Sequence, residues 1–357
     1  MIYSPPPITN KFRDRLRHLD ELRATLGSRL SVALPWTGQL RRSAQAEAFS
    51  SSTAIEGFIV PEGRSMEVVG GAGGEPATEG EKALACYAHA MDHVATLARD
   101  PGFGWSERIV LDLHFEACRF QRDRSPGLFR DGPISVTAPD GGGIAFTGPE
   151  ASDVPGLVGE VAEHLADAHE ETHVVVEAAM AHLNLVSIHP FEDGNGRISR
   201  IIQSLVLARE GVVSPEFGSI ESHLARDTPG YYAALMEVQG GGYSPHRDAS
   251  PWVEYCIEAH IQRATAEIDR LDQAGRRWGL LEELAASKRW DDRTVIALEQ
   301  ALAGVTRRSQ YAGEADVSPA TAGNDLARMS DAGLLERVGQ GRNTSYVPTP
   351  ELRRLVS

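Results

Sequence analysis

His189-Pro190-Phe191-Glu192-Asp193-Gly194-Asn195-Gly196-Arg197-Ile198-Ser199-Arg200 gathers the most chemically distinctive residues of this chain. It holds a histidine, two adjacent acids, an asparagine between glycines, and two arginines three residues apart. An apolar run, Glu177 to Val186, precedes it, and another, Ile201 to Ala208, follows it. The pattern predicts helix, polar loop, helix.

Gly194-Asn195-Gly196 at a helix start can turn several backbone N–H groups toward one point, because glycine permits positive φ and the helix dipole adds positive charge there. Arg197 and Arg200 fall in the first turn of that helix and face the same way, each able to fork onto phosphate oxygens. Asp193 beside such a nest would be repelled by bare phosphate. It makes sense with Mg²⁺ between them, since Mg²⁺ favours few carboxylates plus substrate phosphates. His189, at the end of the preceding helix, is a natural base for an attacking hydroxyl. Taken singly, Gly-Asn-Gly is a turn and a histidine before proline ends a helix. Together they place an acid, a base, an anion nest and two arginines at one point.

Composition sets the bounds. A chain of 357 residues has room for two or three domains, and 41% hydrophobic with 24% charged residues is ordinary for a globular protein. A formal net charge of -15 argues against a protein that blankets nucleic acid, though not against a small DNA-reading module. Cys86, Cys118 and Cys256 have no paired spacing, so neither a disulfide framework nor a zinc site is expected, and a reducing cytoplasmic compartment is. The Pro-rich start, Met1 to Pro7, does not resemble a signal peptide, and no apolar run approaches membrane-spanning length.

Apolar spacing predicts helices near 11–30, 40–56, 80–99, 106–120, 151–168, 172–188, 196–210, 229–238 and 251–275, with Pro61 to Glu79 read as a mobile Gly-rich loop. Between them, Ile134-Ser135-Val136-Thr137 and Ile144-Ala145-Phe146-Thr147 flank the Gly-rich turn 139–143 and predict a hairpin. From about Trp278 the pattern changes. Helices near 278–286 and 291–303 precede a capped helix beginning at Ser318-Pro319, and Leu334–Val338 and Thr344–Val347 flank a turn at 339–343. That order is the winged helix-turn-helix pattern. The fold class expected is therefore mainly α: a helical core with a β-hairpin and a C-terminal winged helix-turn-helix.

The central stretch resembles the signature of the Fic family, HPFx(D/E)GNGRxxR, and matches every fixed position; similarity to the wider pattern runs from about Tyr3 to Tyr255. The resemblance implies an all-α core that transfers AMP from ATP to a protein hydroxyl (Ser, Thr or Tyr), releasing pyrophosphate. It implies His189 as general base and Asp193 as ligand of Mg²⁺, with Mn²⁺ as the alternative cation. Gly194, Asn195 and Gly196 would form the anion hole, with Arg197 and Arg200 on the β- and γ-phosphates. The hairpin 134–146 resembles the family's flap, which pairs with the target's backbone. Tyr231 and Tyr232 resemble positions lining the nucleotide pocket, while His182 and Asn184 read as structural.

Ser51-Ser52-Thr53-Ala54-Ile55-Glu56-Gly57 adds a restraint. Ser52 and Glu56 share a helix face, and Glu56 sits in a last turn where the dipole disfavours an anion, so it would gain from a cation. The segment is similar to the family's inhibitory motif, (S/T)xxxE(G/N). By that resemblance Glu56 pairs with Arg200 and denies it to the γ-phosphate.

The organisation expected is a helical region over 1–100 with the inhibitory helix at about 41–57, a catalytic core over 101–275, and a winged-helix-like domain over 278–357. Expected partners are a protein bearing a hydroxyl side chain, the enzyme itself among them, a second copy of the chain, and DNA or protein at the C-terminal module; no membrane is expected. Two other readings stand beside the autoinhibited adenylyltransferase. One is a bifunctional or net deAMPylating enzyme; the other is a DNA-binding regulator whose Fic domain is a sensor. Arg307, Arg308, Arg328, Arg337 and Arg342 favour the last, and nearby acids weaken it.

Overall fold

The structure is a computed structural model that describes residues 1–357 apart from 33, 35, 72–73, 138–142, 168–171, 212, 342–343 and 357. The turn of the first hairpin, the centre of the Gly-rich run 70–74, and Arg342 with Asn343 lie wholly or mainly outside the described residues.

The helical spacing of Phe12, Leu16, Leu19 and Leu26 becomes α1, Asn10–Leu30, which buries all four. It is followed by α2, Thr37–Ile55. Gly57 at φ 84° ends this helix, and its N–H reaches back to the Ala54 carbonyl at 2.9 Å. The stretch 61–79 is not wholly a loop: Glu62–Val69 forms α3. Arg64 accounts for it by clasping Glu67 at 2.9 Å and Glu81 at 2.7 Å, a local electrostatic reason that apolar spacing does not report.

Then come α4, Glu79–Leu97, and α5, Glu107–Cys118. The hairpin follows, β1 Ser135–Thr137 against β2 Ile144–Thr147, with Val136 opposite Phe146. The next helices are α6 Val154–Ala166, α7 Val174–Ile188, α8 Asn195–Glu210, the short α9 Pro215–Gly218 and α10 Glu221–Arg226, and α11 Thr228–Gln239. Every residue of α7 from Val175 to Ile188 is buried, as expected for a helix apolar on all sides. It packs on α8, and Trp252 pins it from outside by donating its indole N–H to the Ala179 carbonyl at 2.7 Å.

The helix expected to stop at Gly275 continues: α12 runs unbroken over Ser250–Ser287. Leu271, Ala274, Trp278, Leu281 and Ala285 are buried at helical spacing. That burial outweighs an interior glycine, which costs only about 1 kcal/mol. The remaining elements are α13 Thr294–Leu302, α14 Arg308–Glu314, α15 Pro319–Asp331, the antiparallel pair β3 Leu335–Val338 and β4 Ser345–Pro348, and α16 Pro350–Leu355. The molecule is mainly helical with few strands.

Contacts gather these elements into two bodies. One comprises residues 1–29 and 44–266 and contains the 189–200 stretch; the other comprises 30–43 and 267–357. In the second, Ser318 caps α15 by accepting the Thr321 N–H at 3.1 Å. Asp325 joins Arg293 to the Tyr311 hydroxyl at 2.9 Å each. Thr306 bridges Tyr346 of β4 through two backbone bonds of 2.9 Å.

Candidate active site

The loop between α7 and α8 is built by its own sequence and then braced from four other elements. His189 ends α7 in the left-handed conformation at φ 51°, which a non-glycine residue adopts at a cost of about 1–2 kcal/mol. Arg130 offsets that strain. Its buried guanidinium donates to the carbonyls of His189 at 2.8 Å, Gly132 at 2.7 Å and Pro149 at 2.7 Å, and its backbone N–H donates to Pro190 at 2.9 Å. One arginine thus ties the end of α7 to both roots of the hairpin. The Asn195 side chain clips the loop internally, accepting the Phe191 N–H at 2.9 Å and donating to the Phe191 carbonyl at 2.8 Å.

His189 Nδ1 lies 3.0 Å from the Val186 carbonyl, an acceptor only, so Nδ1 carries the proton and Nε2 keeps its lone pair. Burial lowers the pKa of this imidazole below its ordinary value, with the Val186 bond opposing. It is therefore neutral near pH 7, the state a general base requires.

Only one of the two glycines is needed for its backbone angle. Gly194 has φ 79°, and a Cβ there would fall 2.4 Å from Cys118 Sγ. Gly196 is helical instead, and a Cβ there would lie 2.2 Å from a Glu56 carboxylate oxygen. Its requirement is space. The N–H groups of Asn195, Gly196 and Arg197 belong to the first turn of α8, where no helical carbonyl can accept them.

A cavity of about 460 Å³ opens over this turn. Its walls include Glu56, Val136 and Phe146 of the hairpin, His189, Asp193, Gly194, Asn195, Gly196, Tyr231 and Tyr232. Ser52, Arg197 and Arg200 are not in the walls; all three are buried behind them. Arg200 donates to Glu56 at 2.9 Å through Nη2, to the Ser52 hydroxyl at 2.7 Å through Nε, and to the Ser52 carbonyl at 3.0 Å. Burial pulls the Arg200 pKa down, but Glu56 and the nearby tyrosines outweigh it and raise it, so the guanidinium stays charged. Arg197 donates to Gln121 at 2.9 Å, lies 3.3 Å from Asp193, and has its Cζ 5.2 Å from the Phe58 ring and 5.5 Å from Phe120. Arg200 Nη1 and Arg197 Nε and Nη1 are buried without an acceptor among the described residues.

Asp193 stands where a cation would meet phosphate, and both its oxygens are partly engaged. One oxygen accepts the Gly194 N–H at 2.7 Å and the other the Gln121 amide at 2.5 Å, leaving lone pairs on a carboxylate that lines the cavity. No cluster of three or more His, Cys, Asp or Glu that could hold a metal occurs among the described residues. A lone carboxylate fits Mg²⁺ that takes its other ligands from phosphates and water, and does not fit an all-protein cage.

Sequence reasoning missed Gln121, His114 and Arg130. Gln121 joins Asp193 to Arg197. His114 stacks on Phe191 with ring centroids 3.5 Å apart and donates to the Asp193 carbonyl at 2.9 Å. Its Nδ1 accepts the Gly127 N–H at 2.9 Å, which fixes that tautomer. None of the three belongs to the short motif, and each reaches the loop only through the fold. His182 and Asn184 are buried and partnered: His182 with Gln203 at 2.6 Å and Tyr231 at 3.2 Å, Asn184 with both backbone groups of Tyr3.

Comparison with known proteins bears on the segment that holds this loop. Residues 104–207 match the Fic/DOC family. The protein named "Protein adenylyltransferase Fic" from Drosophila melanogaster is 37% identical over 103 residues, which is 29% of this chain and 20% of that protein. "Protein adenylyltransferase fic-1" from Caenorhabditis elegans is 37% identical over 92 residues, 25% of this chain and 16% of its own length. The match thus spans about a fifth or less of these curated relatives. Among solved structures, a Fic family protein from Desulfovibrio desulfuricans G20 superposes with TM-score 0.61 at 20% identity, covering 98% of this chain and 99% of that one. A Fic-domain signaling protein from Bacteroides thetaiotaomicron gives TM-score 0.59 at 20% identity over 71% of this chain and 98% of its own. These structures share the fold. Among the described residues no helix is long and apolar enough to cross a membrane.

Proposed function

We propose that this chain transfers AMP from ATP to a Ser, Thr or Tyr hydroxyl of a protein, with pyrophosphate leaving, and that Glu56 holds the resting enzyme off. The observation that carries the reading is the set of buried arginine nitrogens without acceptors behind the first turn of α8, beside a neutral histidine. Buried guanidinium donors left unpaired cost free energy unless a ligand supplies oxygens, and phosphates do so in the forked geometry that arginine favours. The names of the relatives favour adenylyl transfer among phosphate-handling reactions.

In this reading His189 Nε2 takes the proton of the attacking hydroxyl as its oxygen bonds to the α-phosphorus. The first-turn N–H groups at 195–197 receive the negative charge on the phosphate oxygens. Arg197 and Arg200 bind the β- and γ-phosphates and neutralise the departing pyrophosphate, while Tyr231 and Tyr232 flank the nucleotide. Asp193 would hold Mg²⁺, which when bound supplies charge neutralisation to the phosphates. The hairpin wall, Val136 and Phe146, would position the acceptor segment. Glu56 occupies an Arg200 donor that the γ-phosphate requires.

The test is self-modification with labelled ATP and Mg²⁺ by wild type, Glu56→Gly and His189→Ala. Glu56→Gly should label strongly, wild type weakly and His189→Ala not at all. Full labelling by His189→Ala would overturn the mechanism, and a Glu56→Gly variant no more active than wild type would overturn the brake.

For the second body we propose a winged helix-turn-helix arrangement that docks protein or DNA. The order of α13, α14, α15 and the β3–β4 hairpin supports it, and Asn324, Ala327 and Arg328 are the exposed residues of α15 that would read a partner. Salt-dependent binding of duplex DNA by the full chain, lost in Arg328→Glu, would select DNA. Binding unchanged by that substitution would select against it.

A further inference from the structure

Asp193 and Arg197 carry opposite charges four residues apart, yet they do not close on each other. Arg197 Nη2 stops 3.3 Å from Asp193 Oδ2. A direct charged bond between these groups would be shorter, at about 2.7–2.9 Å. Among the described residues, Asp193 is the one carboxylate within ion-pair reach of this fully buried guanidinium.

Gln121 stands between them. Its Nε2 donates to Asp193 Oδ2 at 2.5 Å, and its Oε1 accepts from Arg197 Nη2 at 2.9 Å. The partners settle which end of the amide is which, because an ionised carboxylate can only accept and a guanidinium can only donate. The two atoms that would make the direct ion pair, Oδ2 and Nη2, are the two that the amide engages. Gln121 follows the end of α5 by three residues, and its own N–H is held by the Cys118 carbonyl at 2.9 Å. The other Asp193 oxygen accepts the Gly194 N–H at 2.7 Å. The carboxylate is thus held from the protein side through both oxygens while it lines the cavity.

A neutral amide gives each charged group a hydrogen bond without cancelling either charge. With an apolar side chain in its place, Asp193 would be free to fork onto Arg197, whose Nε and Nη1 are buried without an acceptor. The order favours that collapse, with the acid four residues ahead of the base. A pair closed in this way satisfies itself and leaves less of the carboxylate for a cation and less of the guanidinium for phosphate.

We propose that Gln121 is a positioning residue that keeps Asp193 and Arg197 from neutralising each other, leaving the carboxylate to the cation and the guanidinium to phosphate. It acts on both through one amide and touches neither nucleotide nor acceptor. This inference rests on the nucleotide reading of the cavity.

The experiment uses the full chain carrying His189→Ala and Glu56→Gly, so that nucleotide binds without turnover, and titrates ATP by calorimetry in Mg²⁺ and in EDTA. The parent should bind ATP more tightly in Mg²⁺. Gln121→Met, which keeps the length and removes both bonds, should cut that gain about tenfold. Gln121→Asn, polar but too short to span both partners, should cut it in the same direction. Placed in an Asp193→Asn background, Gln121→Met should change the gain by less than about twofold, because the group it positions is no longer a carboxylate. An unchanged gain in both Gln121 variants would overturn the proposal. So would an equal further loss in the Asp193→Asn background, the mark of an effect that does not pass through Asp193. A parent that bound ATP equally with and without Mg²⁺ would overturn this inference and leave the nucleotide reading standing. A parent that bound no ATP in either condition would bring down the nucleotide reading and this inference with it.

Discussion

Arg197 and Arg200 stand one helical turn apart on α8, equally buried, and yet they are held in opposite ways. Arg200 is gripped by a carboxylate from the end of α2 and by both oxygens of Ser52. Arg197 has a neutral amide, a carboxylate at 3.3 Å, and the rings of Phe58 and Phe120. Glu56 and Phe58 flank the same Gly57, so one chain segment touches both arginines, with charge in one case and an aromatic face in the other. A carboxylate on a buried guanidinium competes with phosphate for the same donors. An aromatic face steadies the cation while leaving its in-plane donors available. On the proposed reading the Arg200 side would act as the lock, while the Arg197 side, with Asp193 as its nearest carboxylate, would be a standing seat for phosphate.

The comparison breaks most completely if the pocket serves no chemistry. His189→Ala introduced into Glu56→Gly should lower the rate of labelling by about 10²–10⁴-fold, measured as initial rate of AMP incorporation. Next comes the lock itself. Glu56→Gly should raise self-labelling by about 10- to 100-fold over wild type, whereas Phe58→Leu should not derepress at all, since the aromatic contact blocks no donor. Derepression by both would erase the distinction.

Replacing the seat tests its geometry. Arg197→Lys keeps the charge but loses the bond to Gln121, the planar set of donors and the stacking on two rings, and should cost Glu56→Gly about tenfold in kcat/KM for ATP.

A pH titration sharpens the comparison further, because each arginine has a buried neutral histidine near it. Burial pushes His114, on the Arg197 side, down to about 4, and His182, on the Arg200 side, down to about 3. Their folded pKa values lie below the unfolded value, so the unfolded chain binds more protons through that interval. Stability is therefore fully present above the ordinary histidine range and is lost as pH falls from about 6.5 toward 4 and 3. Thermal melts should show this acid limb, and His114→Gln should flatten its upper part. The smallest effect expected is that of Phe58→Leu on stability. Loss of one face over Arg197 should lower the melting free energy by about 1 kcal/mol.

What could be read in advance differs between the two sides for the same physical reason. The 189–200 loop is contiguous, so its acid, base and glycines sit near one another because they are near in the chain. Most helices were legible because apolar residues recur at the helical period. The end of α12 was not legible, since Gly275 marks a stop by local propensity and only the buried neighbours around it show why the helix continues. The α3 helix was missed because the Arg64 ion pairs that help hold it leave no mark in the apolar spacing. Arg130, Gln121 and His114 carry no local signature: an isolated arginine or glutamine in a polar stretch looks like surface.

The mainly helical body was legible from the sequence, which also offered a candidate anion-binding loop with a histidine beside it and an acidic segment resembling a brake. The tertiary structure alone decided that Arg197 and Arg200 lie behind the cavity wall, that Gly196 is small to admit Glu56, and that Asn195 braces the loop with its side chain. It also decided which groups answer each buried charge. Short-range patterning fixes what a residue can donate or accept. Only packing, which brings residues more than a hundred positions apart to hydrogen-bond distance, fixes with what, as Arg200 and Glu56 show across 144 positions.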